Sequence, residues 1–292
     1  MPGFRAWQLP RHPGGNVGVA LFLVLWHDRP TVNDQLDLDR LRALLRTEYL
    51  GRTVFYEPSV STTMDIARRE AEAGAAEGAV AIAEEQTAGR GRMGRSWVSP
   101  PGVNLYLTIV LRPALEQLRY LSVIAPLAVC QAIEETTGLF PRIKWPNDVL
   151  VGGRKVSGIL TESELSDGQV LYALVGPGVN VNLDVAAHEE IAGVATSLRE
   201  QLGREVGREE VLAGLLNHLE ALYEAVRRGE VVAMAWKHRL DTLGQHVRVQ
   251  SAAGELIEQG VAVDADSDGA LIIRRDDGSH VRVESGEVTL RT

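Results

Sequence analysis

The sequence predicts an α+β chain, with a largely antiparallel sheet and long helices followed by a small β-barrel of the SH3-like sort. Three observations lead there. Between residues 103 and 182, apolar runs rich in β-formers are joined by Gly152-Gly153 and Asp167-Gly168, both hairpin turn pairs. Apolar residues at helical spacing mark helices before and after those runs. From Gly244 onward, short strands recur about every ten residues with tight turns, the texture of a small barrel.

Taken in order, residues 1–34 carry Pro-Gly-Gly, Asp-Arg-Pro and Thr-Val-Asn punctuation without a helical period and read as an irregular extension. Leu36 to Leu50 reads as a helix through Leu38, Leu41, Leu44 and Leu45, stopping at Gly51. A strand at Thr53 to Tyr56 and a helix from about Thr63 to Ala73 follow. Ala79 to Glu84 reads as a buried strand and Val103 to Leu111 as another. Gln117 to Thr137 is a largely apolar helix that loses one backbone donor at Pro126. Strands at Ile143 to Trp145, Val149 to Val151, Lys155 to Glu164 and Gln169 to Asn182 come next, then helices at Arg208 to Arg228 and Val231 to Asp241. The barrel strands are Val247 to Gln250, Gly254 to Val263, Ala270 to Arg275 and His280 to Glu284. The domains expected are therefore an extension, 1–34, a main domain, 35–243, and the barrel, 244–292.

Composition narrows the function. With 45% hydrophobic and 24% charged residues the chain has the make-up of a soluble globular protein. A net charge of −9 disfavours nucleic acid as a general partner, because that binding depends on Lys and Arg neutralising phosphates. The longest apolar run, Val17 to Trp26, is too short to span a bilayer, so no membrane role is expected and the cytoplasm is the expected compartment. The single cysteine, Cys130, permits no internal disulfide and reads as core filler. No His or Cys spacing suggests a metal site built by the protein.

The most informative window is Gln86-Thr-Ala-Gly-Arg-Gly-Arg-Met-Gly-Arg-Ser-Trp97, with three arginines and no acid from Gly89 to Trp97. Glycine lets backbone N–H groups approach an anion, and guanidinium pairs with phosphate or carboxylate in a fixed fork. Gly89, Gly91 and Gly94 also satisfy G-x-G-x-x-G, but a dinucleotide-binding fingerprint must open a helix. Ser96-Trp-Val-Ser-Pro-Pro-Gly102 cannot do so. No Gly-Lys-Ser/Thr follows either, which excludes a P-loop.

Three more segments join the loop: Lys144-Trp145-Pro146-Asn147-Asp148, Arg154-Lys155-Val156-Ser157-Gly158, and Gly176-Pro177-Gly178-Val179-Asn180. Only three of the thirty basic residues are lysines, Lys144, Lys155 and Lys237, and two fall in these motifs. Each segment alone passes for an ordinary turn or strand end. Together, in this order, they resemble the biotin protein ligases, from about Leu36 to the C-terminus.

The resemblance implies a mixed, largely antiparallel sheet with helices on one side, a biotin/lipoate ligase-like catalytic domain. It implies activation of biotin with ATP, accompanied by Mg2+, to biotinyl-5′-AMP, then transfer to a lysine of a biotin carboxyl carrier protein. It places Thr62, Thr63, Gln86, Gly89, Arg90, Lys155, Gly158 and Gly176 at biotin and Arg92, Arg95, Trp97, Lys144, Asn147 and Asn180 at ATP or the adenylate. Lys155, Arg90, Arg92 and Asp148 become the catalytic set, with Asp148 orienting the incoming amine. A homodimer through the sheet is the oligomer it suggests. The chemistry fits these side chains independently: a carboxylate attacking the α-phosphorus concentrates negative charge, so cations and positioning are needed rather than a His or Cys.

The chain departs from the family pattern where Ser-Thr-Asn is usual, reading Thr62-Thr63-Met64, or Ser61-Thr62-Thr63 if slipped by one, and at Pro177, where a small residue is commoner. The bifunctional ligases also carry an N-terminal winged helix. Residues 1–50 hold six Arg, no Lys and five acids, which is no DNA-binding footprint. The alternatives are a lipoate or octanoate ligase or transferase of the same fold, disfavoured by the arginine loop and the barrel, and a non-catalytic biotin-adenylate sensor and repressor.

Overall fold

The computed structural model describes residues 35–251, 253–284 and 286–290; the extension expected over 1–34 lies outside them. The chain runs α1 (Leu38–Leu44), β1 (Val54–Val60), α2 (Thr63–Glu72), β2 (Val80–Gln86), β3 (Leu105–Leu111), α3 (Leu121–Thr137), β4 (Arg142–Lys144), β5 (Asp148–Val151), β6 (Arg154–Ser166) and β7 (Gln169–Val179). Three helices follow, α4 (Leu198–Leu202), α5 (Arg208–Arg227) and α6 (Ala233–Lys237). The chain closes with β8 (His246–Gln250), β9 (Leu256–Ala265), β10 (Leu271–Arg274), β11 (His280–Val283) and β12 (Glu287–Leu290).

The first seven strands form one sheet in the order β1-β2-β3-β7-β6-β5-β4, and the last five form a second in the order β11-β10-β9-β8-β12. Among the described residues only β1 and β2 pair in parallel within the main sheet; every other neighbour there is antiparallel, including β5-β6 and β6-β7, as the Gly152-Gly153 and Asp167-Gly168 turns predict. The mixed, largely antiparallel sheet and the small C-terminal antiparallel unit both agree with expectation.

Strand alternation divides the main sheet by face. On β3, Leu105, Leu107, Ile109 and Leu111 enter the main core, together with α3 and α5. Val110 joins Met64, Ala67 and Ala71 of α2, with Ala81 and Leu174, in a second cluster. The two long helices thus cover one face, while α2 lies against the other. The long helices therefore keep to one side of the sheet, as expected, and the short α2 is an addition on the other. The second face is covered by α2 at one end and is otherwise available for a cleft.

Several elements differ from the pattern, and in three of the four cases that follow a tertiary contact takes up backbone groups a helix or loop would have used. The helix expected over 36–50 stops at Leu44, and the N–H groups of Glu48, Tyr49 and Leu50 donate instead to the buried Glu220 carboxylate. The helix expected from Gln117 begins at Leu121, after a 3₁₀ segment at Leu115–Tyr120 in which the Gln117 side chain accepts from the Ala114 N–H. It then continues through Pro126 to Gly138, which is left-handed at φ 73. The helix expected over 231–241 is only Ala233–Lys237, because residues 239–241 bond β4: Ile143 N–H to Arg239 O and Asp241 N–H to Ile143 O. A final strand, β12, pairs with β8 beyond the last one expected.

The C-terminal sheet is anchored to the main sheet by Trp145. Its indole N–H donates to Gly269 O at 2.7 Å and its backbone N–H to Thr242 Oγ1 at 2.9 Å. Lys237 adds an ion pair to Asp264 at 2.8 Å. Among the described residues, no helix is long and apolar enough to cross a membrane.

Candidate active site

A cleft of about 840 Å³ opens on the α2 face of the main sheet. The two-residue period brings Tyr106 and Thr108 of β3, Asp148 and Leu150 of β5, Gly158 and Leu160 of β6, and Gly176 and Gly178 of β7 to it. All the residues expected at the site line this cleft except Gly89. Gly89 sits behind the wall, where a Cβ would lie 2.4 Å from Trp97 O, so only glycine admits that approach.

One end is polar and small. Thr62 caps α2 and is buried. The N–H and hydroxyl of Thr63 both meet Gln86 Oε1, at 2.9 and 3.2 Å, and the Thr63 hydroxyl is 2.9 Å from that of Thr108. Gln86 in turn donates to Ser99 Oγ at 3.1 Å.

The other end is cationic. Lys155 Nζ stands 2.7 Å from Asp148 Oδ1 and 5.2 Å from the centre of the Trp97 ring. Lys144 lines the same region. Asn147 donates to Ile159 O and accepts from Arg92 Nη1 at 3.1 Å. Asn180 is buried, donating to Thr196 O and accepting from Asn104. Burial pushes the Arg92 guanidinium below its ordinary pKa, against the pull of Glu287 and Asp148. A cation in that position gains from a nearby anion.

The arginine loop folds back on itself through Gly91 N–H to Arg95 O and Trp97 N–H to Gly89 O, with Met93 (φ 56) and Gly94 (φ 71) left-handed at its tip. Its three arginines reach different elements. Arg90 donates to Asp65 on α2 at 2.6 Å, Arg92 bonds Asn147 and Gly286 O, and Arg95 pairs with Glu287 at the start of β12. The sequence motifs do not reveal Glu287, nor the segment Glu190–Ala195 at the mouth. A parallel bridge from Lys155 to Ala195 holds that segment in place. Thr108 was also missed, although its polarity in an otherwise apolar strand was a usable signal. Among the described residues, no group of three or more His, Cys, Asp or Glu could hold a metal ion.

The fold and cleft are those of an acyl-activating protein ligase, and comparison with known proteins narrows the class. Residues 56–180 match the Biotin/lipoate A/B protein ligase family and residues 242–291 the Biotin protein ligase C terminal domain. The chain is 32% identical over 253 residues to the bifunctional ligase/repressor BirA of Bacillus subtilis, covering 84% of this chain and 76% of the relative. It is 39% identical over 209 residues to the biotin--[acetyl-CoA-carboxylase] ligase of Paracoccus denitrificans, covering 68% and 85%. It superposes on the Aquifex aeolicus biotin protein ligase in complex with biotin and ATP with a TM-score of 0.69 and 31% identity, covering 82% of this chain and 99% of that one.

The chain belongs to the biotin protein ligase family. It is an ATP-dependent ligase that activates biotin and transfers it.

Proposed function

We propose that this cleft holds biotin at its polar Thr63–Gln86–Thr108 end and ATP at its cationic end, and that Lys155 acts where the two meet. The observation that carries this reading is the position of Lys155, whose ammonium lines the cleft at its cationic end with Asp148 at 2.7 Å and the Trp97 ring beside it. A biotin carboxylate oxygen attacks the α-phosphorus, the bond to the β-phosphate breaks, and pyrophosphate leaves. Lys155, Arg92 and Arg90 stabilise the charge that gathers there, which is worth more in a site that excludes water. Arg95 and Lys144 face the phosphates, while Trp97, Asn147 and Asn180 line the nucleotide pocket. Mg2+ arrives with ATP rather than in a site of its own.

In the second step, a lysine amine of a biotin carboxyl carrier protein attacks the acyl carbon, AMP leaves, and the amide forms with loss of a proton. Asp148 orients that amine. This reading takes 35–243 as the catalytic domain and 244–292 as the C-terminal domain, with the protein working in the cytoplasm, without nucleic acid, and as a homodimer. The test is ATP-dependent transfer of biotin to a purified carrier domain, with lipoate and octanoate alongside. Biotin alone should label the carrier; equal labelling by lipoate would refute the reading.

A further inference from the structure

Gly158 and Gly178 are register partners on β6 and β7. Cross-strand partners in an antiparallel pair stand about 5 Å apart, so two adjacent glycines leave a flat, side-chain-free patch on the cleft face. The Trp97 indole lies on it. A Cβ at Gly178 would come 2.6 Å from both Cε2 and Nε1 of the indole, and one at Gly158 would come 3.1 Å from Cζ3. The approach at Gly178 is a collision with a rigid ring, which must move to relieve it, and the one at Gly158 is a tight contact that asks the ring to give by a few tenths of an ångström. Neither glycine has a positive φ, so backbone conformation does not demand glycine at either position; the space above the strands does.

The seat bears on Lys155 as well. A Cβ at Gly158 would lie 3.0 Å from its Nζ and Cε, and the ammonium sits over the Trp97 ring. The indole Nε1 is buried without a hydrogen-bond partner, so no polar contact fixes the ring. Its position is set by shape, by the two bare backbones below and the ammonium beside it. In sequence Gly-Pro-Gly passes for a turn, but here Gly176 to Gly178 is strand.

We infer that Gly158 and Gly178 are positioning residues, which seat Trp97 and through it fix where Lys155 Nζ stands above the sheet. The inference rests on the function proposed for this cleft. A ring lifted by even about 1 Å takes the cationic group out of line, and misplacements of that size cost on the order of 10² in rate.

The test is a double-mutant cycle of Gly178→Ala with Trp97→Leu, read as single-turnover biotinyl-AMP formation and as acrylamide quenching of fluorescence. Subtracting the Trp97→Leu signal isolates Trp97. Gly178→Ala should slow adenylate formation by about 30- to 100-fold and increase the quenching of Trp97. In the Trp97→Leu background the same change should cost less than about threefold, because the ring it strikes is gone. Equal cost in both backgrounds, or unchanged quenching, overturns the inference. Should Gly178→Ala alone fail to fold, the double variant must regain a normal melting curve; if it does not, the new methyl is striking something else and the inference falls. Failure of the unaltered enzyme to make biotinyl-AMP would refute the proposed function instead, and the quenching difference would still decide the seat.

Discussion

Arg95, on the arginine loop, is ion-paired with Glu287, the first residue of the last strand. A cation assigned to the triphosphate is thus held by a carboxylate from the C-terminal sheet. Since both side chains are partly exposed, the pair contributes at most about 1 kcal/mol. Glu287→Gln should therefore leave the melting temperature almost unchanged. Its KM for ATP should stay the same or fall, by no more than about fivefold, as a competing anion is removed. A tenfold rise in steady-state KM would show that Glu287 supports nucleotide binding.

Lys155→Gln should lower the rate of biotinyl-AMP formation by about 10²–10³ while the protein keeps its fold, because it removes one preorganised charge from the reacting groups. Single-turnover kinetics and a circular dichroism melt check this together. Near-normal adenylate synthesis would remove Lys155 from the catalytic set.

Trp145 lies in a sequence motif whose Lys144, Asn147 and Asp148 line the cleft, yet its side chain is 1% exposed and bonds Gly269 O. Trp145→Phe should cost about 1–3 kcal/mol by leaving that carbonyl unsatisfied, and Trp145→Ala about 3–5 kcal/mol. Urea unfolding measures both. A loss of activity without a loss of stability would give Trp145 a role in the cleft instead.

Arg208 and Glu84 form an ion pair at 2.6 Å inside the protein, and Glu84 also accepts from the Leu36 N–H and the Tyr56 hydroxyl. Arg208→Met should destabilise by about 3–5 kcal/mol, since it leaves a buried carboxylate without its cation. An unfolding free energy within about 1 kcal/mol of the parent, the size of an exposed pair, would show that the pair is solvated in practice.

Burial pushes the Cys130 thiol up to about 12. The native protein should therefore resist iodoacetamide at about pH 8.5, where a free thiol is half ionised. The raised value also sets a sign. The contribution of this group to stability is fully present below about pH 8.5 and is lost as pH climbs toward the folded value. Rapid alkylation without unfolding would contradict the burial.

Much of the site was legible because its residues sit in short motifs at strand ends, where spacing survives without tertiary knowledge. Lys144, Asn147 and Asp148 belong to one turn, and Lys155 and Gly158 to the strand after it. Features created by distant partners were not legible. Nothing near Leu45 announces that Glu220 will capture three backbone N–H groups there. Nothing in the arginine loop names Glu287, and a short helix such as α2 gives no sign in its own period of which face of the sheet it will cover.

The alternation along β3 has a consequence for how this protein can change. Leu105, Leu107 and Ile109 pack into the core, whereas Tyr106 and Thr108, between them, line the cleft. Demands for durability and for substrate choice therefore fall on interleaved residues of a single strand and share few side chains. Altered specificity can be sought at Thr108, a small side chain on the cleft, without emptying the core behind it. Hardening the protein against heat can proceed through Leu105 or Ile109, which do not line the cleft, without redrawing what it recognises.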